Sequence, residues 1–306
     1  KEILDRPEWD EISAKSALRL GQCYLALDDY ENARQFFNVA SKGKEETAVE
    51  ARIGIAVSYI GEKNYDAAID TLSEVISQSK EDKVLAYAYF NRGLAYEGKK
   101  WIGKALNDFV KAKEKAKDDE ELLTAIDGEL KKCRSLQQQF LREEDEYLQK
   151  IRSAQGMGDW DGCAVLLREL AKVCEDWGEM ELAIDYERAA GDYSSSEEFK
   201  AGSLMNIAWR YYKIKDYEKA ADAFKQVVEG YPQSSYAKES LLRLGDMYGY
   251  LKRYDDAITV YTSFLEKYPS DSEVPSAKMK IAWCYFNKGD YEMSAESFQQ
   301  VANEHP

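Results

Sequence analysis

The sequence predicts an all-α protein in which antiparallel pairs of helices stack into a solenoid. First, a pattern recurs near the C-terminus, where Tyr217, Tyr254 and Tyr291 are 37 residues apart. Second, no proline occurs between Pro7 and Pro232, as expected of a helix-rich chain. Third, apolar residues recur at i and i+3 in each copy, the pattern of a helix with one buried face. A unit this small cannot bury its own apolar face, so stacking of neighbours is expected.

The pattern of each copy predicts two helices that pack against each other where both carry a small residue. Counted along one copy, a small residue stands at position eight, an aromatic at seventeen and a second small residue at twenty. Two helices approach to about 8–10 Å only where the side chains between them are small, so these positions predict the crossing. The pairs "KD", "KR" and "GD" before the aromatic predict the turn, and "YP" or "HP" ends the second helix. In the last three copies the small residues are Ala208 with Ala220, Gly245 with Ala257, and Ala282 with Ser294.

The same template fits three copies in the N-terminal part. Tyr30, Tyr65 and Trp101 take the seventeenth position there, and the small residues at position eight are Gly21, Ala56 and Gly93. The middle is less regular, and 118–154 predicts either one long charged helix or two shorter ones. The next segment fits as a second helix through Trp160, Cys163, Leu167 and Leu170, or as a first helix through Ala171 and Cys174 followed by Ala183. We expect only one of these two registers to hold.

These residues resemble the tetratricopeptide repeat, and about six clear copies match it. The resemblance implies a right-handed superhelical solenoid with irregular helices in the middle. It predicts an N-terminal array over 1–117, degenerate helical repeats over 118–197 and a C-terminal array over 198–306. The first seven residues resemble the tail of an earlier helix, and neither end shows a clear capping helix, so we expect a fragment of a longer solenoid.

Repeats of 37 residues with Tyr-Pro turns are similar to those of bacterial cell-envelope proteins, namely the barrel-assembly lipoprotein and the Tol–Pal coordinator. This similarity implies a periplasmic protein, with the cytoplasm as the alternative compartment.

Composition argues against several functions. The formal net charge of -15 repels a phosphate backbone, so nucleic-acid binding is not expected. No apolar run approaches the roughly 20 residues that span a bilayer, so no membrane insertion is expected. The single histidine, His305, leaves no Ser–His or Cys–His pair within the repeats. The five cysteines form no CxxC pair. We therefore expect no catalytic residue, no metal and no cofactor.

A recognition surface is the remaining candidate. In the resembling family, the first helix of each pair lines a concave groove at positions two, five, six, nine and twelve. Exposed aromatic, Met and Arg side chains are typical of peptide recognition. The predicted peptide-binding groove comprises Met205, Asn206, Trp209, Tyr212, Leu242, Arg243, Asp246, Tyr250, Met279, Trp283 and Phe286. A secondary groove comprises Leu18, Gln22, Tyr87, Phe90 and Asn91.

Two features of this surface have alternatives. Single aromatics can instead pack against neighbouring helices, although for Trp209, Tyr212 and Trp283 together a groove is favoured. The family variant that clamps a carboxylate uses Asn at position six, which Asn91 and Asn206 match, and Lys at position five. That Lys is replaced by Leu18, Phe90, Met205 and Met279, which favours an apolar or extended ligand.

The predicted function is a non-enzymatic scaffold that binds a protein or peptide. One alternative is a regulatory or targeting arm of a larger enzyme. Another is a structural protein that self-associates through uncapped solenoid ends.

Overall fold

The protein is helical throughout the part that the structure describes. A computed structural model describes residues 7–117 and 119–304, which form fifteen α-helices and contain no strand. The predicted all-α class is therefore confirmed. The expected helical tail before Pro7 falls on residues 1–6, outside the described residues, as do His305 and Pro306.

The helices form two compact units joined along the chain. Unit 1 comprises the described residues up to Glu143 together with Asp176–Glu179, and unit 2 comprises Glu144–Glu175 and the described residues from Met180 onward. The helices before the long α7 are α1 (Pro7–Ala26), α2 (Tyr30–Ala40), α3 (Glu45–Gly61), α4 (Tyr65–Gln78), α5 (Asp82–Gly98) and α6 (Ile102–Lys115). The remaining helices are α7 (Glu120–Gly156), α8 (Trp160–Asp176), α9 (Met180–Tyr193), α10 (Glu197–Lys213), α11 (Tyr217–Gly230), α12 (Ala237–Tyr250), α13 (Tyr254–Lys267), α14 (Val274–Lys288) and α15 (Tyr291–Glu304).

Neighbouring helices pack as the repeat template requires. Consecutive helices from α1 to α6 contact one another, and so do those from α9 to α15. In unit 1, α3 also contacts both α1 and α5, so the first helices of successive pairs are neighbours. Within each unit, the described helices therefore stack pair upon pair, which is the packing pattern of a solenoid.

The helix crossings lie at the predicted small residues. A Cβ atom added to Gly21 would lie 2.6 Å from the Phe37 ring, and one added to Gly245 would lie 2.5 Å from the Tyr261 ring. Both contacts are closer than real Cβ atoms make, so only glycine fits these two crossings. The aromatic partner is buried in each case, and it forms the core between the two helices of its pair.

The turn within each pair has the same backbone conformation in every repeat. The residue two places before each second helix has a positive φ, from 58° at Asp28 to 89° at Gly289. The next backbone N–H bonds back to the first helix, as from Asp216 to the Tyr211 carbonyl oxygen at 2.9 Å. This is the Schellman-type end of a helix, and it confirms the predicted turns. The eight residues are Asp28, Lys63, Lys100, Gly158, Gly178, Lys215, Lys252 and Gly289.

One template assignment is wrong by a residue. Trp101 precedes α6 as its N-cap, and Ile102 begins the helix at the position that Tyr30 and Tyr65 take in their repeats. The reason is packing, because Ile102 is buried with Phe109 in the unit 1 core while Trp101 stacks on Tyr96.

The middle of the chain contains one long helix, α7, and a helix, α8, that packs both against α7 before it and against α9 after it. Of the two alternatives for 118–154, the structure shows the single long helix, α7, of 37 residues. The expectation that only one register holds for α8 is wrong, because Cys163, Leu167 and Leu170 of one set and Ala171 and Cys174 of the other are all buried. Trp160, the remaining member of the first set, is 52% exposed at the start of the helix. The Cys163 thiol faces α7 and lies 3.7 Å from the Ile151 carbonyl oxygen, while Arg168 bonds to Glu187 on α9. A helix that packs against a neighbour on each side can satisfy both patterns.

Candidate functional site

The predicted groove residues of unit 2 lie on the first helices α10, α12 and α14, and their aromatic rings contact one another. The Trp209 and Tyr212 rings on α10 meet edge to face, with centroids 5.5 Å apart. The Tyr212 ring lies 5.9 Å from the Tyr250 ring, and the two hydroxyl oxygens are 3.4 Å apart. This contact raises the pKa of Tyr250 to about 12. On α14, Trp283 and Phe286 repeat the edge-to-face contact at 5.5 Å.

Charged residues of the same surface converge on Asp246. Its carboxylate accepts hydrogen bonds from the Lys280 ammonium at 2.7 Å and the Tyr261 hydroxyl at 2.7 Å. It also accepts one from the Arg243 guanidinium at 3.2 Å. The guanidinium of Arg243 lies over the Trp209 ring, 5.3 Å from its centroid. Burial of Tyr261 and the charge of Asp246 raise the pKa of this phenol, so it remains a donor to the carboxylate at neutral pH.

Burial separates this predicted set into two groups. Met205 and Leu242 are buried among core residues, and Asn206 donates to the Glu187 carboxylate at 3.1 Å. Trp209 is half-buried and packs edge-on against Phe224. The side chains that present large apolar area to solvent are Tyr250, Met279, Trp283 and Phe286.

A groove of about 1230 Å³ lies in unit 1 between the first helices α1, α3 and α5. Its apolar floor contains Leu25, Val49, Ile53, Val57, Val84 and Tyr87. Two members of the predicted secondary set, Gln22 and Tyr87, line it. Leu18 and Asn91 are buried, and the Phe90 ring packs 5.8 Å from the Phe109 ring.

The rim of this groove carries both signs of charge. Glu46 and Glu50 are exposed one turn apart on α3, and Lys80 and Lys83 lie where α5 begins. The Tyr87 hydroxyl donates to Asp119 at 2.8 Å, and this hydrogen bond raises the pKa of Tyr87 to about 12. The phenol is therefore neutral at physiological pH and fixed in orientation.

Sequence reasoning missed the charged part of the rim. Glu50 takes position two of its repeat, and Tyr87, which was predicted as a groove residue, takes the same position one repeat later. The repeat template alone could therefore have predicted Glu50 as a groove residue. Lys80 and Lys83 precede the template positions, and only the folded connection between α4 and α5 brings them to the groove.

A buried charge cluster joins α8, α9 and α10 in unit 2. Glu187 is fully buried at the repeat position that Phe224 and Tyr261 take in later copies. Its carboxylate accepts from Arg168 Nε at 2.9 Å, Arg210 Nη1 at 2.8 Å and Asn206 Nδ2. Glu187 is not among the predicted site residues, although a carboxylate at a core aromatic position is an exception that the sequence itself displays.

The described residues show no arrangement suited to metal chemistry. Across 7–117 and 119–304, no group of three His, Cys, Asp or Glu side chains could hold a metal ion. Burial raises the pKa of the Cys133 and Cys284 thiols to about 11, which disfavours reactive thiolates at these two positions. Among the helices that the structure describes, none has the length and apolar character to cross a membrane.

Comparison with known families identifies the repeats. Models of the tetratricopeptide repeat match residues 14–40 at the N-terminus and 203–234, 239–271 and 276–306 at the C-terminus. The chain therefore contains tetratricopeptide repeats, and the matched segments cover less than half of its length. No curated protein matches the chain significantly. The expected similarity to bacterial cell-envelope proteins stays a prediction.

Several solved structures are similar to the chain. The TPR domain of P58(IPK) is 19% identical with a TM-score of 0.38, and the match covers 96% of this chain and 84% of that one. The TPR2AB domain of yeast Sti1, in its complex with pHSP90, is 15% identical with a TM-score of 0.37 and coverages of 90% and 97%. BtubC from P. vanneervenii is 18% identical with a TM-score of 0.42 and coverages of 66% and 89%.

Proposed function

We propose that the chain is a protein–protein interaction scaffold whose tetratricopeptide repeats bind an extended segment of a partner protein in the groove of unit 1. The observation that carries the proposal is the groove itself, which has an apolar floor, charged rims and walls made of three packed helices. The proposal assigns no chemical step to the chain.

The floor of the groove is suited to apolar side chains of a ligand. Leu25, Ile53, Val57, Val84 and Tyr87 are only half-buried in the free chain. A ligand that covers them removes this apolar area from water, which stabilises the complex by roughly 25 cal/mol per Å² before the costs of association. Binding of an extended segment with alternating apolar side chains uses this floor most fully.

The walls are closely packed, so we expect little ordering of the groove on binding. Behind the floor, Ala51, Ala56 and Ala88 are fully buried at helix contacts. Tyr87 is fixed by its hydrogen bond to Asp119. A site formed in advance loses less conformational entropy when it binds, which raises its affinity for a given contact area.

The rim charges give the groove a direction. Among the lining residues of α3, Glu45, Glu46 and Glu50 outnumber Arg52. At the start of α5, Lys80 and Lys83 outnumber Glu81. Charges at a rim affect the specificity and the association rate more than the affinity. We therefore expect bound segments to carry a basic residue near α3 and an acidic residue near the start of α5.

The predicted surface of unit 2 enters the proposal as a second contact region. Its exposed side chains, Tyr250, Met279, Trp283 and Phe286, are of the types that are enriched in hot spots and adaptable interfaces.

A groove-filling variant tests the proposal. A random peptide library displayed on phage is selected against the whole chain, and the enriched peptides are measured by fluorescence anisotropy. Gln22→Trp places a large ring in the groove from an exposed position on α1. Gln35→Trp makes the same change on the exposed side of α2, outside the groove lining, and is the matched control.

We expect Gln22→Trp to weaken peptide binding at least about tenfold, equivalent to about 1.4 kcal/mol, and Gln35→Trp to leave it unchanged. Equal binding by wild type and Gln22→Trp, or no enrichment of any peptide, would refute the assignment of the groove.

A further inference from the structure

In the regular repeats of unit 1, the aromatic ring at position seventeen is covered by the first helix of the next pair. The backbone of Gly61 lies directly against the Tyr30 ring, because a Cβ atom added to this glycine would lie 2.3 Å from it. Gly98 lies against the Tyr65 ring in the same way, also at 2.3 Å. Each glycine stands four residues before the start of the next second helix. Stacking of successive pairs therefore removes this aromatic ring from water.

Unit 2 contains one covered ring and one open ring at this position. The Tyr217 ring stacks on Tyr250 of the next first helix, α12, with centroids 4.8 Å apart. Trp160 takes the same position, two residues after the turn residue Gly158. The helix after α8 is α9, which begins two residues after the turn residue Gly178 and is therefore a second helix. The double use of α8 thus replaces the covering first helix, and Trp160 is 52% exposed.

The open tryptophan is held in a fixed orientation. Its ring stacks on the Tyr193 ring of α9, with centroids 5.8 Å apart and an angle of 18° between the planes. The Tyr193 hydroxyl accepts a hydrogen bond from Gln155 Nε2 at 2.9 Å. Met157, in the turn before α8, is 75% exposed. We call Met157, Trp160 and Tyr193 the Trp160 patch.

The surroundings of the Trp160 patch are acidic. It is formed by the segments 153–167 and 189–199, which the hydrogen bond from the Ser195 N–H to the Asp161 carboxylate joins at 3.1 Å. Neither segment contains a lysine or an arginine. Such a surface attracts a basic ligand and repels nucleic acid or anionic lipid. The acidic residues of the two segments, all exposed, are Asp159, Asp161, Asp192, Glu197 and Glu198.

We propose that the Trp160 patch binds a basic segment of a partner protein, with an arginine guanidinium stacked on the open part of the Trp160 ring. Tryptophan is the side chain that attracts a cation most strongly through its ring, and arginine is the commoner partner. The aliphatic part of the arginine side chain packs on apolar surface, which the exposed Met157 offers. The surrounding carboxylates supply the complementary charge.

The chain already forms contacts of this kind internally. The Arg243 guanidinium lies over the Trp209 ring, 5.3 Å from its centroid. The Lys99 ammonium lies 4.2 Å from the centroid of the Trp101 ring. A partner's arginine over Trp160 would complete the same arrangement from outside the chain.

The Trp160 patch is a site distinct from the groove. Its residues belong to unit 2, and none of them lines the groove of unit 1. The two sites can therefore be tested separately.

A depleted peptide selection tests the proposal on the whole chain. Peptides displayed on phage are selected on wild type, and those that also bind Trp160→Ala are removed. The remaining peptides are measured by fluorescence anisotropy against wild type and each variant. Leu141→Ala, an aliphatic residue of α7 that is also 52% exposed, is the control for loss of exposed apolar area. Circular dichroism checks that each variant is folded, and Trp160→Phe replaces Trp160→Ala in the depletion if the alanine variant is not.

A charge variant tests the acidic surroundings. Asp159→Asn combined with Asp192→Asn removes two carboxylates, and asparagine can still accept the hydrogen bond that Asp159 receives from the Gly162 N–H. This variant should bind the peptides about threefold more weakly, with a smaller salt dependence, because fewer charges attract the ligand.

We expect the remaining peptides to be rich in arginine and to bind Trp160→Ala at least about tenfold more weakly than wild type. Leu141→Ala and Gln22→Trp should bind them as wild type does. No remaining peptide, peptides without basic residues, or unchanged binding by the charge variant overturns the proposal. Loss of binding in Gln22→Trp would assign the peptides to the groove and also overturn it, so this proposal and that of the groove can fail independently.

Discussion

Replacement of Glu187 by Leu tests how the first pair of unit 2 is stabilised. The carboxylate is fully buried between α8, α9 and α10, and it accepts hydrogen bonds from Arg168, Arg210 and Asn206. Leucine fills a similar position without accepting any of these bonds. The Arg210 side chain is only 6% exposed, so water does not replace the lost partner there.

The magnitude follows from what each donor keeps. Arg168 still donates to the Phe199 carbonyl oxygen and the Ser203 hydroxyl, and it is partly open to solvent. Arg210 keeps Glu175, at 3.0 Å, but loses its second carboxylate. Removal of one partner from a buried ion pair costs about 3–5 kcal/mol. We therefore expect Glu187→Leu to lower the free energy of unfolding of unit 2 by about 4 kcal/mol.

A second variant separates the charge cluster from the packing. Glu187→Phe combined with Arg210→Met restores the apolar core that other repeats have at this position. Replacement of a whole buried ion pair by apolar groups is often neutral or stabilising, so we expect the double variant to lie within about 1 kcal/mol of wild type. The difference in stability between the two variants reports the cost of leaving Arg210 with Glu175 as its one remaining carboxylate partner, together with the change from leucine to phenylalanine at position 187.

The assay is urea unfolding followed by circular dichroism, with hydrogen exchange of α9 and α10 amides to assign the effect to unit 2. Glu181→Leu changes an exposed glutamate of the same helix and is the control. A loss below about 1 kcal/mol in Glu187→Leu would show that the cluster is not needed for stability. A double variant as unstable as the single one would show that the phenylalanine does not fit.

Three further changes have expected outcomes. The Trp209 and Trp283 rings each pack edge-on against two other rings, but Trp209 is half-buried and lies under the Arg243 guanidinium, whereas Trp283 is 50% exposed. Trp209→Ala should therefore lower the free energy of unfolding by about 3 kcal/mol and Trp283→Ala by about 1 kcal/mol, and equal losses in thermal unfolding would contradict this ranking. Lys63→Gly should raise the free energy of unfolding by up to about 1 kcal/mol, because the φ of 62° at this position is strained for lysine but not for glycine. Lys225→Gly, within α11, should lower it by about the same amount because glycine disfavours a helix interior. Urea midpoints that shift in the same direction for both variants would refute the reasoning. Hydrogen bonds from two lysines lower the pKa of Asp82 from 3.8 to about 2, so its contribution to stability is present at neutral pH and is lost as the pH falls from about 4 to 2. Asp82→Asn should therefore be less stable than wild type at pH 7, and in acid-unfolding curves this gap should be mostly closed by about pH 2, the pKa in the folded state, and vanish at lower pH. A gap as large at pH 2 as at pH 7 would be contrary to this assignment.

The repeat geometry was predictable because its determinants are local. Gly21 and Phe37, or Gly245 and Tyr261, are 16 residues apart within one pair, so the template alone places them in contact. The turns follow from the same short segments. The assignment of Trp101 failed by one residue because the turn before α6 has its αL residue at Lys100, and packing of Ile102 fixes the helix start.

Contacts between pairs were not predictable in the same way. Glu187 depends on Arg168 and Arg210, which are 19 and 23 residues away on other helices. The sequence gives no reason to prefer that cluster over an aromatic core until the three helices are placed together. The dual role of α8 is not evident from position counting either, because its two patterns lie on different sides of the helix and so do not exclude each other.

The predicted site residues show a more general limit of position counting. Met205, Leu242 and Met279 take the same position in three successive repeats, yet they are 6%, 8% and 45% exposed. The first two lie in pairs that a following first helix covers, as α12 covers the α10–α11 pair, and Met279 lies in a pair that no described helix follows. The exposure of a residue at this position therefore depends on whether another helix pair follows, and it does not by itself identify a ligand-binding surface. The groove of unit 1 avoids this ambiguity because α1, α3 and α5 all line it and α3 has a packed first helix on each side. A peptide that binds there does so on a surface that the stacking of first helices creates.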